Sequence, residues 1–184
     1  MANKYMNVAG WTDAGMFDVY DEILKQIPDN GIFVEVGCWK GRSSIYLLES
    51  LYELNRVKSL KKNISIWFID TFTGCEYGKG GQIGKSLDEF ESNIVAAGFP
   101  KNTNWKAVAM DSIEASAMFD NVFAVFLDGN HESIYVRNEL LAWKNKCNIV
   151  AGHDYLDPPI RRIVGEVLGQ VKDFGSSYLW KGNK

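Results

Sequence analysis

The sequence contains few of the residues that build disulfide frameworks and zinc sites. Only three of its 184 residues are cysteines and only two are histidines. The cysteines, Cys38, Cys75 and Cys147, are an odd number at unrelated spacings, and no C-x-x-C pair is present to hold zinc. We therefore expect reduced thiols, a cytoplasmic location and no disulfide scaffold.

The chain also lacks an excess of positive charge and any long apolar run. Its 20 lysines and arginines against 23 acids give a formal net charge of −3, and no run of basic residues compensates locally. This balance predicts that nucleic acid is not a partner. No apolar run approaches the ~20 residues of a membrane span, and the N-terminus lacks the apolar core of a signal peptide, so no membrane partner is expected either.

The sequence does contain enough apolar material, 46% of its residues, for one substantial core. Apolar runs typical of strands alternate with amphipathic stretches typical of helices. This alternation predicts the α/β class, in the form of a doubly wound, Rossmann-like three-layer sandwich. We predict one domain over residues 1–184, with a mostly parallel seven-stranded sheet closed by a C-terminal antiparallel hairpin.

The predicted elements follow from the spacing of the apolar residues and from the turn residues between them. Unbroken apolar runs predict strands buried on both faces, and apolar residues three and four apart predict helices. Residues 1–31 form a helical segment expected to cover one edge of the sheet, and the glycine-rich, aperiodic stretch 71–84 is expected to be a lid loop. The strands are predicted at 32–36, 64–69, 105–110, 122–127 and 148–151, with the hairpin at 171–174 and 178–181.

The first predicted strand ends in an acid and a glycine loop, in the stretch FVEVGCWKGRSS at 33–44. Glu35 comes near the carboxyl end of the strand, Gly37 and Gly41 permit a tight turn with close backbone approach, and Ser43 or Ser44 can cap the following helix. The G-x-G-x-x-G spacing of a dinucleotide site is absent, and bulky and cationic residues stand where that site needs small ones. The stretch therefore indicates an adenosine-bearing cofactor other than a dinucleotide.

Acids follow the next two predicted strands, at the edge of the sheet where ligands collect in open α/β folds. Asp70 ends the second strand, and its carboxylate can accept hydrogen bonds from two ribose hydroxyls, although it can equally cap a turn. Asp111 and Ser112 follow the third strand at the height expected for the adenine, and an ordinary helix start is the alternative.

The loops after strands four and five contain both histidines of the chain. The sequence D-G-N-H occupies 128–131 and G-H-D-Y occupies 152–155. Because imidazole titrates near neutral pH, His131 or His153 can take part in proton transfer. The alternative is that these residues only form turns, with both histidines bonded to backbone and no catalytic task.

Together these motifs resemble a known family. The 33–44 stretch resembles motif I of the class I S-adenosylmethionine-dependent methyltransferases, and the D-G-x-H and G-H-D-Y loops are similar to the family that includes macrocin-type sugar O-methyltransferases. The likeness extends from about residue 33 to residue 180. It implies O-methylation of a small hydroxylated molecule or sugar, with S-adenosylmethionine bound by Glu35, Gly37, Gly41, Ser43, Asp70, Asp111, Ser112 and Asp128.

The resemblance also implies roles for the two histidine loops. His131, Asp128 and His153 become catalytic residues, with His131 as general base, and Asp128 and Asp154 become ligands of Mg²⁺ or another divalent cation. Such an ion would lower the pKa of the acceptor hydroxyl. His153 stands where many metal-binding relatives have a second acid, and imidazole is a poor ligand for a hard cation.

Several alternatives stay open at this point. The chain can be an inactive cofactor-binding homologue that acts as a partner or regulatory subunit, or an enzyme that uses the bound nucleoside for different chemistry. Metal binding is likewise open. The methyl acceptor is expected to be a small molecule, and a homo-oligomer whose second subunit supplies the lid is a further alternative.

Overall fold

The computed structural model describes residues 3–58, 62–73, 87–101 and 103–182. The predicted lid loop at 71–84 lies outside the described residues from residue 74 onward. Within the described part, none of the helices combines the length and apolar character that a membrane crossing requires.

Strands and helices alternate along the chain in the predicted order. A short 3-10 turn, Lys4–Asn7, precedes the first helix. The strands are β1 Ile32–Val36, β2 Ser65–Asp70, β3 Trp105–Ala109, β4 Val122–Leu127, β5 Cys147–Gly152, β6 Lys172–Asp173 and β7 Tyr178–Lys181. The helices are α1 Ala14–Gln26, α2 Arg42–Lys58, α3 Leu87–Ala96, α4 Ser112–Ser116, α5 Ser133–Trp143 and α6 Pro158–Leu168.

All seven strands form one sheet in the order β3-β2-β1-β4-β5-β7-β6. Strands β1 to β5 pair in parallel, and β7 runs antiparallel to both β5 and β6. The fold prediction is confirmed. The order reverses between β1 and β4, so their carboxyl ends border the crevice in which such sheets bind ligands.

Helices cover both faces of the sheet, which explains why the central strands read as unbroken apolar runs. Neighbouring residues of β1 point to opposite faces, as the two-residue period of a strand requires. Phe33 belongs to the core formed with α1, α2 and α3, and Val34 belongs to the core formed with α4, α5 and α6. These are the three layers of the predicted sandwich.

Helix α1 begins where the sequence predicts, because Asp13 caps it: the Met16 N–H donates to Asp13 Oδ1 at 3.0 Å. Its buried side chains place α1 on a face of the sheet rather than along an edge. The residues before it are tied to α2, since Arg42 donates to Thr12 Oγ1 at 3.0 Å and to the Val8 carbonyl at 3.1 Å. The segment 8–13 is therefore held beside the start of α2.

Candidate active site at the carboxyl edge of the sheet

The glycine turn after β1 lies against the loop after β4. Gly37 has a left-handed backbone (φ 83°), and a Cβ added there would lie 2.0 Å from the Asp128 carbonyl oxygen. Its N–H donates to the Ile69 carbonyl at 2.9 Å, which ties the turn to β2 as well. Only glycine fits this position, because a side chain would force the two central loops of the crevice apart.

Glu35 lies beneath this turn and is 1% exposed. The Ser43 hydroxyl donates to Glu35 Oε1 at 2.5 Å, and Glu35 Oε2 has no hydrogen-bond partner among the described residues. Burial raises the pKa of Glu35 to about 7, against the opposing effect of the Ser43 hydrogen bond. Glu35 thus joins β1 to the first turn of α2 and keeps one oxygen for a further donor.

Asp70 links the turns after β1 and β2. Its Oδ2 accepts from the Trp39 N–H at 2.9 Å and its Oδ1 accepts from the Phe72 N–H at 2.8 Å. The capping role that the sequence left open is therefore present. Each carboxylate oxygen can accept a second hydrogen bond, so binding of the ribose hydroxyls is compatible with this geometry and stays a prediction.

Asp111 and Ser112 are engaged at the start of α4. Asp111 Oδ1 accepts from the Ile113 N–H at 2.9 Å, and its Oδ2 accepts from the Tyr135 hydroxyl at 2.6 Å. The Ser112 side chain is buried and accepts from the Trp143 indole N–H at 3.0 Å. Both residues therefore have structural tasks, and their predicted contact with the adenine stays a prediction.

The loops after β4 and β5 bring four predicted residues together with one that was not predicted. We call Asp13, Asp128, His131, His153 and Asp154 the acid–histidine cluster. His131 Nδ1 is paired with Asp154 Oδ2. His153 Nδ1 lies 3.3 Å from Asp154 Oδ1 and 3.6 Å from Asp128 Oδ1, and His153 Nε2 lies 2.9 Å from Asp13 Oδ2.

Mutual pairing shifts the titration of the cluster. The hydrogen bond to Asp154 raises the pKa of His131 above its ordinary value. Burial would raise the pKa of Asp154, but the two imidazoles outweigh this effect and hold it well below its usual range. Burial raises the pKa of Asp128, although the charge of His153 opposes the shift. At neutral pH His153, whose pKa is raised to about 9, therefore favours its protonated form, and Asp154 stays ionised.

A cavity of about 20 Å³ lies inside this region, bordered by the cluster residues of the loops after β4 and β5 and by Glu139 and Tyr178. That volume holds a water molecule or an ion, not a methyl acceptor. Glu139 is 1% exposed, its Oε1 has no hydrogen-bond partner among the described residues, and burial raises its pKa to about 7. A buried carboxyl group therefore lies next to the cluster.

The sequence predictions did not include Asp13 or Glu139 in the site. Asp13 was identified only as the start of α1, and no local signal indicates its contact with His153, 140 residues away. Glu139 did have a signal, because it lies between Val136 and Leu140 on the apolar face of α5, where a charge is out of place. A charged residue on that apolar face could therefore have identified Glu139 as a candidate site residue.

The backbone itself is unusual at this edge. Three of the four non-glycine residues with positive φ in the described chain follow β1, β2 and β5: Trp39 at 44°, Phe72 at 50° and Asp154 at 57°. Bulky side chains rarely adopt this region, and such conformations concentrate at functional sites. The strain therefore coincides with the crevice that the strand order indicates.

The residues present can be compared with what the predicted divalent cation and the predicted nucleoside cofactor each require. Asp128, His131 and Asp154 each offer one ligand atom, and these atoms lie within 4.8 Å of one another. Two carboxylates and an imidazole suit a borderline cation such as Mn²⁺ or Zn²⁺ better than Mg²⁺, which prefers oxygen ligands. For the nucleoside cofactor, the unpartnered buried oxygen of Glu35 and the crevice beside Gly37 fit a bound group with a hydrogen-bond donor.

The chain resembles known proteins in sequence pattern and in fold. Residues 34–155 match the family model described as a methyltransferase domain. No curated protein matches the chain in sequence.

Solved structures share the fold at low sequence identity. An rRNA methylase from Streptococcus thermophilus has a TM-score of 0.62 and 9% identity, covering 95% of this chain and 100% of that one. An RNA methyltransferase from Salinibacter ruber, in complex with S-adenosyl-L-homocysteine, has a TM-score of 0.57 and 14% identity. The match covers 94% of this chain and 93% of that one. An S-adenosylmethionine-dependent O-methyltransferase from Thermotoga maritima has a TM-score of 0.56 and 12% identity. The match covers 91% of this chain and 56% of that one.

These structures correct one prediction. The exclusion of nucleic acid, drawn from the net charge of −3, is wrong, because proteins described as RNA methyltransferases have this fold over nearly the whole chain. The physical reason is that net charge sums the whole surface. It does not describe the field at one edge of the sheet, where an acceptor would bind.

Proposed function

The chain belongs to the methyltransferase-domain family, within the class I S-adenosylmethionine-dependent methyltransferases, and from this premise we propose that it methylates a hydroxyl oxygen of a small molecule. The observation that carries this proposal is the pairing of His131 with Asp154 at the carboxyl edge of the sheet. A carboxylate that orients an imidazole is the arrangement expected of a general base. The narrower assignment to macrocin-type enzymes stays a prediction.

Four residues are proposed to hold the cofactor. Gly37 leaves room for its close approach, Asp70 accepts the ribose hydroxyls, and Glu35 uses its remaining oxygen for a donor of the amino-acid part. Ser43 keeps the Glu35 side chain in place. Bound S-adenosylmethionine supplies a methyl group activated by a sulfonium sulfur.

His131 is proposed to take the proton of the acceptor hydroxyl. Asp154 pairs with Nδ1, so proton transfer is assigned to Nε2 on the far side of the ring. His153 contacts both acids and Asp13, and we assign it the role of positioning Asp154 and Asp128. Much of the acceleration then comes from placing the acceptor and from keeping water away from it.

A divalent cation is the alternative proposal for the same cluster, because an imidazole that binds a metal ion has no second nitrogen free to act as the base. Asp128, His131 and Asp154 would hold it, and it would lower the pKa of the acceptor hydroxyl. Because one ligand is imidazole, we expect Zn²⁺ rather than Mg²⁺ to bind. Activity that survives exhaustive chelation would remove the cation from the proposal and leave His131 as the only base.

The cofactor part is tested by calorimetry. We expect saturable binding of S-adenosylmethionine that weakens about 10-fold or more in Asp70→Ala, because two ribose hydrogen bonds are lost. The exposed Asp88→Ala, on α3, is the matched control and should bind like the parent. No detectable heat at millimolar cofactor would contradict the proposal.

The base is tested by the pH dependence of methyl transfer. Since the pKa of His131 is raised and a base must be deprotonated, activity should increase as pH rises above about 6.5. Asp154→Asn should move this increase in activity to lower pH. His131→Ala should abolish the increase and reduce kcat by about 10²–10⁴-fold. An unchanged profile in His131→Ala would exclude it as the base.

The inactive-homologue alternative is separated by the same measurements. It predicts that the parent protein binds S-adenosylmethionine but transfers no methyl group to any acceptor. In that case His131→Ala and Asp154→Asn would change stability only.

A further inference from the structure

The segment before α1 extends from one half of the crevice to the other. Residues 8–13, which we call the bridging segment, contact the turn after β1 through Trp11 and the loop after β5 through Asp13. Between these two positions, Thr12 accepts a hydrogen bond from Arg42 at the start of α2. Three consecutive residues therefore join the predicted cofactor turn to the acid–histidine cluster.

Trp11 contacts the turn at a strained residue. Its ring stacks on that of Trp39, with centroids 4.7 Å apart and planes 21° from parallel. Trp39 has a left-handed backbone (φ 44°), which a bulky residue keeps only when its surroundings enforce it. The Lys40 ammonium also lies over this ring, 5.6 Å from its centroid. Trp11 is 76% exposed and adds little to the core, so its main contribution is to support this turn.

The peptide of Trp39 orients a predicted cofactor ligand. Its N–H donates to Asp70 Oδ2 at 2.9 Å, while Asp70 Oδ1 accepts from the Phe72 N–H at 2.8 Å. The remaining acceptor positions of this carboxylate are those proposed to receive the ribose hydroxyls. A shift of the Trp39 peptide would release one carboxylate oxygen. The stack of Trp11 on Trp39 is therefore connected to the ribose site through a single peptide group.

The other end of the bridging segment is anchored in the second half of the crevice. Asp13 Oδ2 lies 2.9 Å from His153 Nε2, and Asp13 Oδ1 accepts from the Ser176 hydroxyl at 2.7 Å. Close packing holds the middle of the segment, because a Cβ added at Gly10 would lie 2.8 Å from Arg42 Cβ. A short segment that is fixed at its middle and at Asp13 gives Trp11 a defined position.

We propose that the bridging segment positions the cofactor turn, with Trp11 as the positioning residue and Asp13 as its anchor at the acid–histidine cluster. This inference rests on the proposed function, because it concerns the binding of S-adenosylmethionine. Trp11 acts on the cofactor through Trp39 and Asp70 rather than by touching it. Cofactor affinity then depends on a residue of the other half of the crevice, which couples the two halves of the site.

The first test is calorimetric binding of S-adenosylmethionine. Trp11→Ala should weaken binding about 5-fold, the effect of one lost ring contact, and Trp11→Phe should restore most of the affinity. Thr12→Val keeps the side-chain shape but loses the bond from Arg42, and it should weaken binding about 2-fold. Tyr52→Ala is the matched control, since Tyr52 is an aromatic on α2 with a similar exposure of 63%. An unchanged affinity in Trp11→Ala would overturn the inference.

A second ligand separates positioning from direct contact. Methylthioadenosine keeps the adenine and the ribose of the cofactor but lacks its amino-acid part. If Trp11 acts through Asp70, Trp11→Ala should weaken the binding of both ligands by the same factor. A loss for S-adenosylmethionine alone would mean that Trp11 touches the amino-acid part, and it would overturn the positioning role.

A double-mutant cycle tests the coupling. Asp13→Asn keeps the cap of α1 and should weaken S-adenosylmethionine binding about 2-fold, whereas Asp18→Asn, on the exposed face of α1, should not. In a Trp11→Ala background, Asp13→Asn should have no further effect, because the connection to the cofactor turn is already lost. Losses that multiply in the double variant would show that the two residues act independently, and they would overturn the inference.

The outcomes separate the two proposals. If the parent protein binds neither S-adenosylmethionine nor methylthioadenosine, the proposed function fails and this inference fails with it. If the parent binds both and the variants bind equally well, this inference fails alone.

Discussion

The two halves of the crevice hold their carboxylates in different ways. At the ends of β2 and β3, Asp70 and Asp111 accept backbone N–H groups of the adjoining turns. In the acid–histidine cluster, Asp154 is instead paired with His131, and Asp13 adds a contact with His153 to the backbone N–H that it accepts as the cap of α1.

This difference separates a fixed part of the site from a titratable part. Backbone N–H groups carry no ionisable proton, so the donors to Asp70 and Asp111 are the same across neutral pH, and Glu35, whose pKa is raised to about 7, is the titratable residue beneath the glycine turn. Imidazoles can gain and lose protons, and the cluster changes its charge and hydrogen bonds as pH rises through about 9, the raised pKa of His153. We infer that recognition of the cofactor depends on rigid backbone, whereas reactivity depends on a network that responds to pH.

The largest effect on stability and cofactor binding is expected from a change to the backbone of the cofactor half. Gly37→Ala should cost about 3 kcal/mol or more of stability and abolish cofactor binding, because the added Cβ would meet the Asp128 carbonyl and strain a left-handed residue. Urea unfolding and calorimetry measure both effects.

The matched control is Gly165→Ala in α6, where an added Cβ would meet no atom within 4 Å. Alanine in a helix interior should raise stability by up to about 1 kcal/mol. Equal effects of the two substitutions would show that the close approach at Gly37 does not matter.

A smaller effect is expected from Glu139, which borders the cluster without a partner for Oε1. Burial raises the pKa of Glu139 from an ordinary value of 4.5 to about 7. Between these two pH values the folded protein keeps the proton of Glu139, whereas the unfolded chain releases it. Stability is therefore lost as pH rises from about 4.5 to about 7. Glu139→Gln cannot titrate, and relative to the parent it should gain about 2–3 kcal/mol between pH 4.5 and 7.5.

Thermal unfolding across this pH range measures the gain. Glu114→Gln on α4 is the matched control, since Glu114 is exposed. A Glu139→Gln variant with the parent's pH dependence would mean that Glu139 is solvated or paired in the folded protein.

The smallest effect is expected at the contact between Asp13 and His153. The pKa of His153 is raised to about 9: burial would lower it, but the hydrogen bonds to Asp154 and Asp13 and the charge of Asp128 outweigh that effect. This stabilisation is complete below about pH 6.5 and is lost as pH rises through about 9. Asp13→Asn keeps the helix cap but removes the charge, so it should cost about 0.5–1 kcal/mol below pH 6.5, because Asp13 is partly exposed and screened.

The same charge change at Asp18→Asn, on the exposed face of α1, is the control. Urea unfolding at pH 6 and pH 10 should separate the two variants at the lower pH alone. A loss of equal size at both pH values would show that the pairing with His153 contributes nothing.

The fold was predictable because its signals are local. Unbroken apolar runs identified the five parallel strands, and the glycine spacing after β1 indicated the tight turn there, whose role in cofactor binding stays a prediction. The second helix, predicted from about residue 44 to residue 54, is longer in the structure, because the residues after 54 include the helix formers Arg56 and Lys58 and no helix breaker.

The contacts within the site were predictable only in part. Topology brings Asp128, His131, His153 and Asp154 to one edge, and the strand order makes that expectation possible. The pairing of His131 with Asp154 and the arrival of Asp13 depend on side-chain packing between distant segments, which no periodicity encodes. The cytoplasmic location and the homo-oligomer stay predictions.

The contacts of Asp13 have a consequence for how the protein is made. Its carboxylate receives hydrogen bonds from His153 and from the Ser176 hydroxyl at 2.7 Å, so its partners lie 140 and 163 residues further along the chain. A ribosome must release nearly the entire polypeptide before these bonds can close. The nascent chain can form β1 and the glycine turn early, and the acid–histidine cluster is assembled last.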